Sequence, residues 1–93
     1  MEELKNIIET FREERGWKEA DTPAILAKSI IVEAAELLEC YQFSEENVNL
    51  DNVKAELADV LMYALSLAYD MDWDITDIIK EKLVDVAARY PKL

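Results

Sequence analysis

The chain has 93 residues, which is enough for one small domain with a thin hydrophobic core. Its formal net charge of −11 disfavours nucleic-acid backbones and anionic membranes as partners. No apolar run approaches the ~20 residues that span a bilayer. Acidic and polar residues follow Met1, so we expect no signal peptide. The single Cys40 cannot form an internal disulfide, which favours a reducing, cytoplasmic location.

The composition favours an all-α fold, because the chain is 52% hydrophobic and contains only one Gly and two Pro. The first predicted helix covers about residues 2–15 and ends at Gly16. The second begins after Thr22, a favourable N-cap, with Pro23 at its first position, and runs to about residue 42.

Two further helices are predicted after a polar connection at residues 44–49. The third covers about residues 51–70. The fourth has Asp74 as its N-cap and runs to about residue 90, where Pro91 stops it. We therefore predict a single domain over residues 1–93, a four-helix bundle protomer that self-associates and so enlarges its core.

The middle two helices carry unusually narrow polar stripes. Ten of the fourteen residues from 25 to 38 are apolar, and Ser29, Glu33 and Glu36 fall within about 60° of each other on a helical wheel. On the third helix the polar stripe is about 80° wide, and it holds Asn52, Glu56, Asp59, Tyr63, Ser66 and Asp70. A surface helix has a broad polar face, so we expect both helices to lie centrally in the bundle.

Each stripe contains an acidic pair spaced i, i+3, which places both carboxylates on one face of the helix. If the pair Glu33 and Glu36 faced the pair Glu56 and Asp59, four oxygen ligands would surround one point. Desolvated carboxylates repel one another, so this arrangement predicts a bound cation. The alternative is that these four residues are the solvated faces of amphipathic helices.

The residue types restrict the kind of cation. Carboxylate ligands suit hard cations such as Mg²⁺, Mn²⁺ or Ca²⁺. The chain has no His and one Cys, so neither a di-iron site with Glu-x-x-His motifs nor a typical zinc site can be assembled. Mg²⁺ commonly shares its coordination shell with substrate phosphates, so phosphate-ester chemistry is the natural expectation.

The segments VEAAELLECYQF and KAELADVLMYAL resemble the E-x-x-E and E-x-x-D signature of MazG-like all-α nucleoside triphosphate pyrophosphohydrolases. The similarity is greatest to the dCTP pyrophosphatase-like branch of that family. It covers roughly residues 8–91, and the matching residues, in order, are Phe11, Arg15, Trp17, Pro23, Glu33, Glu36, Glu56, Asp59, Tyr63, Arg89, Tyr90 and Pro91.

This resemblance implies hydrolysis of a (deoxy)nucleoside triphosphate to the monophosphate and pyrophosphate. The four carboxylates would be both catalytic residues and ligands of Mg²⁺ or Mn²⁺, and a water activated by the metal would attack the α-phosphorus. The resemblance also makes Trp17, Tyr63 and Lys82 candidates for substrate binding: Trp17 for base stacking, Tyr63 for the nucleotide pocket and Lys82 for phosphate. It implies a homodimer or homotetramer.

The chain departs from the family pattern mainly where the base would be recognised. Ala20 and Asp21 stand where an aromatic–His pair is common, and Val86 stands where an Asn is usual. Val32 replaces an additional Glu that many relatives carry before E-x-x-E. The alternative function is therefore a non-catalytic bundle that binds a nucleotide or a protein partner, a degenerate relative of the family.

Overall fold

The computed structural model describes residues 2–93, and within them it contains five helices and no strand. The helices are α1 (Glu2–Glu14), α2 (Trp17–Ala20), α3 (Pro23–Glu39), α4 (Leu50–Asp70) and α5 (Ile75–Arg89). The all-α prediction is confirmed, and each of the four predicted helices is present. The second ends at Glu39 rather than near residue 42, and α2 was not predicted.

The predicted N-caps form as expected from their side chains. The Thr22 hydroxyl accepts a hydrogen bond from the Ile25 N–H at 3.2 Å, and Pro23 occupies the first turn of α3. The Asp74 carboxylate accepts from the Asp77 N–H at 2.9 Å. These bonds satisfy N–H groups that a helix leaves unpaired at its start, so they set where α3 and α5 begin.

The short α2 follows directly from a left-handed turn at Gly16, whose φ is +71°. The Trp17 ring packs edge-to-face on Phe11, with centroids 5.6 Å apart, and the Lys18 ammonium pairs with the carboxylate of Glu9. A four-residue helix is too short to show hydrophobic periodicity, so the sequence pattern did not predict α2. Its contacts with α1 hold it in place.

Helices α3 and α4 form the central pair and run antiparallel. Glu33 lies against Glu56 and Asp59, whereas Leu26, earlier in α3, shares a cavity with Tyr63 and Ser66, later in α4. Leu26 is fully buried, and Ala68 and Tyr69 are also buried. The two helices pair with each other, but because much of the apolar surface of α3 is exposed in the single chain, their central position in a bundle stays a prediction.

A buried ion pair joins α1 to the carboxyl end of α4. The Arg12 guanidinium donates two parallel hydrogen bonds to the Asp70 carboxylate, at 2.9 and 2.8 Å. The side chains are only 5% and 14% exposed. Because the hydrogen bond to Asp70 raises the pKa of Arg12, the guanidinium stays charged in spite of its burial. This pair ties α1 to the carboxyl end of α4.

Helix α5 lies largely outside the core, and much of its apolar surface is exposed. Val84 is 74% exposed, and Leu83 is 56% exposed. Large apolar side chains are exposed on the central helices as well, including Ile31 at 70% and Leu38 at 69%. Within residues 2–93, no helix combines the length and the apolar composition needed to cross a membrane.

We predict that Asp70→Ala lowers the free energy of unfolding by about 3 kcal/mol, because it leaves the Arg12 charge buried and unpaired. Urea denaturation at fixed protein concentration measures this loss. Asp85→Ala is the matched control, since the Asp85 pairs with Lys82 and Arg89 are exposed. It should change stability by less than about 1 kcal/mol. Equal effects of the two substitutions would contradict the prediction.

Candidate active site

The packing of α3 against α4 gathers three carboxylates. One oxygen each from Glu33, Glu56 and Asp59 lies within 4.8 Å of the other two, and all three residues are half-buried. The i, i+3 spacing places Glu56 and Asp59 on the face of α4 that meets α3. The structure therefore brings together three of the four predicted carboxylates, which we call the acidic cluster.

The fourth predicted carboxylate, Glu36, lies at the edge of the acidic cluster and is exposed. A hydrogen bond with Glu36 is the main reason that the pKa of Glu33 rises to about 7, with burial and the neighbouring negative charges adding to it. Burial, followed by a hydrogen bond with Glu36, raises the pKa of Glu56. The Glu33 and Glu56 carboxyls therefore resist ionisation while the neighbouring carboxylates are charged.

Two carboxylate oxygens of the acidic cluster accept no hydrogen bond from residues 2–93. Glu33 Oε2 and Glu56 Oε2 are buried, and no group in residues 2–93 donates a hydrogen bond to either. A buried carboxylate oxygen without a donor is costly, and a cation in contact with it removes that cost. The donors are all oxygens, so the acidic cluster fits a hard divalent cation.

A cavity of about 290 Å³ lies beside the acidic cluster, between the amino-terminal helices and the central pair. Trp17 and Tyr63, two of the predicted substrate-binding residues, both line it, together with Phe11 and Asp21. Burial raises the pKa of Tyr63, as do the charges of Glu33, Asp21 and Asp59. Tyr63 thus lies between the cavity and the acidic cluster.

The structure does not bring the third predicted substrate-binding residue to this site. Lys82 lies on the exposed surface of α5, and its ammonium bonds to the Asp85 carboxylate at 3.1 Å. Within the part of the chain from residue 2 onward, Lys82 makes no ion pair with the acidic cluster. Its predicted contact with phosphate therefore depends on something other than the packing of its own α5.

Two residues near the site were not predicted from the sequence. Arg12 lies one turn after Ile8 on the buried face of α1, and this placement of a basic residue could have indicated a buried partner. Asp21 was noted only as a departure from the family pattern. Its position at the end of a helix too short to predict gave no sign that it would line a cavity.

Comparison with known proteins decides the family. Residues 28–92 match the MazG-like family model. The chain belongs to the MazG-like family. A crystal structure of a pyrophosphatase from Archaeoglobus fulgidus has the same fold, with a TM-score of 0.90 and 37% sequence identity. That similarity covers 99% of this chain and 93% of the other.

The matching curated relatives are less similar to this chain than that structure is. The dCTP pyrophosphatase 1 proteins of Mus musculus and Rattus norvegicus are each 25% identical to this chain over 100 residues. The match covers 98% of this chain but only 59% of each relative, so the chain spans about three-fifths of their length. The family resemblance read from the motifs is confirmed, while the roles of individual site residues stay predictions.

We predict that Glu56→Gln removes most of the rise in melting temperature that Mg²⁺ or Mn²⁺ produces in the unaltered protein. A cation at 100 times its Kd stabilises the folded state by about 2.7 kcal/mol, and this stabilisation requires intact ligands. In the presence of a chelator the variant should melt no lower than the parent, because one source of repulsion is gone. Thermal scans with and without metal measure both effects.

Glu81→Gln is the control for this experiment, because Glu81 is an exposed residue of α5 and loses the same charge. It should keep the full response to metal. A metal response that survives in Glu56→Gln, or that disappears in Glu81→Gln, would show that the cation binds elsewhere.

Proposed function

We propose that this protein hydrolyses a (deoxy)nucleoside triphosphate to the monophosphate and pyrophosphate, with Mg²⁺ as cofactor and Mn²⁺ as a substitute. The observation that carries the proposal is the acidic cluster of Glu33, Glu56 and Asp59 next to a cavity lined by aromatic side chains. The fold is shared with a protein described as a pyrophosphatase, and the family match covers all of these carboxylates.

Charge explains why the reaction would need a metal ion. The chain carries a formal net charge of −11, and the acidic cluster adds its own local repulsion toward a triphosphate. Glu33, Glu36, Glu56 and Asp59 would hold Mg²⁺, which when bound neutralises phosphate charge and makes a bound water more acidic. Without the cation, the negative charges of the phosphates and the carboxylates would repel each other.

In the proposed reaction, a water oxygen forms a bond to the α-phosphorus, and the bond from that phosphorus to the bridging oxygen breaks. Pyrophosphate leaves, and a carboxylate of the acidic cluster accepts the proton that the water releases. This step is supported by the pKa of Glu33, which a hydrogen bond with Glu36, burial and the neighbouring charges raise to about 7 in the metal-free protein. Asp59 and Glu56 lie close enough to position the same water.

The cavity beside the acidic cluster is the proposed site for the nucleoside. Trp17 is 44% exposed, so part of its ring is open to a ligand although the ring also packs against Phe11. Stacking of a base on an aromatic side chain contributes about 1–3 kcal/mol. Tyr63 would lie at the point where the nucleoside meets the phosphates, because it borders both the cavity and the acidic cluster.

A panel of nucleoside triphosphates in Mg²⁺ or Mn²⁺, assayed for monophosphate and pyrophosphate, tests this proposal. We expect turnover of at least one triphosphate, and a loss of at least ~100-fold in kcat in Glu36→Gln and in Asp59→Asn. Both variants should stay folded. Turnover of no nucleotide by the parent protein would refute the catalytic proposal, and calorimetric binding without product would favour the non-catalytic alternative.

We also propose that the protein acts as a homodimer or homotetramer in the cytoplasm. Exposed apolar side chains on α3, α4 and α5 support self-association, since monomeric proteins seldom expose large contiguous apolar patches. Helix α5 packs only weakly on the rest of its own chain. Lys82 would then contact phosphate bound to a second copy, because its own α5 does not lie along the acidic cluster.

Val84→Lys tests this assembly. Val84 is 74% exposed in the single chain, so a lysine there should leave an isolated protomer folded but should disrupt an apolar interface. Sedimentation should show the parent as a multiple of the 10.7 kDa chain and the variant as a smaller species. Thr76→Lys adds the same charge to α5 and should leave the mass unchanged. A monomeric parent protein would refute the proposal.

A further inference from the structure

The cavity beside the acidic cluster contains a carboxylate that no side chain neutralises by direct contact. Asp21 lines this cavity together with Arg12. Both terminal nitrogens of Arg12 already donate to Asp70, at 2.9 and 2.8 Å. Among residues 2–93, no side chain forms a hydrogen bond or an ion pair with the Asp21 carboxylate. Its oxygens therefore remain available as acceptors for a ligand.

The backbone around Asp21 is held by the ends of two helices. Its N–H donates to the Trp17 carbonyl at 2.8 Å, closing the single turn of α2. The next residue, Thr22, is the N-cap of α3. The i, i+4 spacing places Trp17 and Asp21 on the same face of this turn, and both line the cavity. The aromatic ring of Trp17 and the two carboxylate oxygens of Asp21 thus lie at the same cavity.

The cavity has the size of a site for a single base. Its volume of about 290 Å³ is at the lower limit for small-molecule pockets, roughly 300 Å³. The rest of its lining is mainly apolar, including Ile7, Leu26 and Met62. In such surroundings a charged acceptor distinguishes strongly between ligands that offer donors and ligands that do not.

A carboxylate accepts hydrogen bonds and donates none, so it selects a base by the donors on the edge of that base. Guanine places its N1–H beside its 2-amino group, and these two donors match the two oxygens of a carboxylate. Cytosine and adenine place a ring-nitrogen acceptor beside the amino group. Thymine and uracil flank N3–H with carbonyl oxygens. In these four bases an acceptor faces the carboxylate and is repelled.

We infer that Asp21 is a specificity-determining residue that selects guanine nucleotides by accepting hydrogen bonds from N1–H and the 2-amino group. The inference rests on the proposed function, because a triphosphate held at the acidic cluster places its base in the adjacent cavity. Trp17 supplies a surface against which the base stacks, and Asp21 reads the edge of the base. The chain thus selects the base by a charge rather than by the shape of the cavity.

The test compares kcat/KM for dGTP, dITP, dATP, dCTP and dTTP. We expect dGTP to be the best substrate and dITP, which lacks the 2-amino group, to be poorer by roughly 10-fold. Asp21→Asn should lower kcat/KM for dGTP by roughly 10-fold to 100-fold, mainly through KM. The amide offers a donor beside an acceptor, so the variant should gain relative activity on dCTP and dATP.

Two control variants separate base selection from a change in charge or folding. Glu19→Gln removes the same charge from an exposed position two residues away and should leave the dGTP to dCTP ratio unchanged. Asp21→Glu keeps a carboxylate and should retain a preference for dGTP over dITP. A parent protein that prefers dCTP or dTTP, or an Asp21→Asn variant with the parent's ratios, would overturn the inference.

Binding measurements keep the inference testable apart from catalysis. If no triphosphate is hydrolysed, the proposed function fails, and calorimetry with dGTP, dITP and dCTP in Mg²⁺ still reports base preference. Tighter binding of dGTP than of dITP, lost in Asp21→Asn, supports the role of Asp21. Equal affinity for the three nucleotides overturns it.

Discussion

The packing of α3 on α4 is the contact on which the rest of the structure depends, and it brings mutually repelling carboxylates together. Apolar burial drives these two helices into contact, and the narrow polar stripe of each is carried into the interface with it. Glu33, Glu56 and Asp59 then lie within 4.8 Å of one another, with two buried oxygens that accept no hydrogen bond from residues 2–93. Protons or a bound cation relieve this repulsion, and a cation would also allow chemistry on phosphates.

The polar stripe of α4 is used in two different ways along its length. At its carboxyl end, Asp70 is neutralised by Arg12, and this pair orients α1. About three to four turns earlier, Glu56 and Asp59 have no basic partner among residues 2–93. One end of the stripe therefore stabilises the fold, while the other end carries the unneutralised carboxylates of the acidic cluster. The cavity lies between these two regions, so the ion pair that positions α1 also shapes one wall of the candidate nucleoside site.

Much of the fold and part of the site could be predicted from the sequence, because both depend on short-range patterns. Residues three or four positions apart define both the N-caps, Thr22 and Asp74, and the polar stripes of the central helices. The Arg12–Asp70 pair joins residues 58 positions apart, and α2 has four residues, so neither leaves a local pattern. Lys82 is exposed because of the orientation of α5 relative to the other helices, and the sequence of α5 does not predict that orientation.

The sequence by itself determined that the chain is helical and that its acidic residues fall in stripes, and its ligand types favour a hard cation over zinc or a di-iron centre. These conclusions follow from helical periodicity and from the absence of histidine, which do not depend on how the helices pack. Only the tertiary structure decided that Glu36 lies at the edge of the acidic cluster and that Asp21 lines the cavity. Such placements depend on the angles between helices, and those angles are set by contacts between residues far apart in the chain.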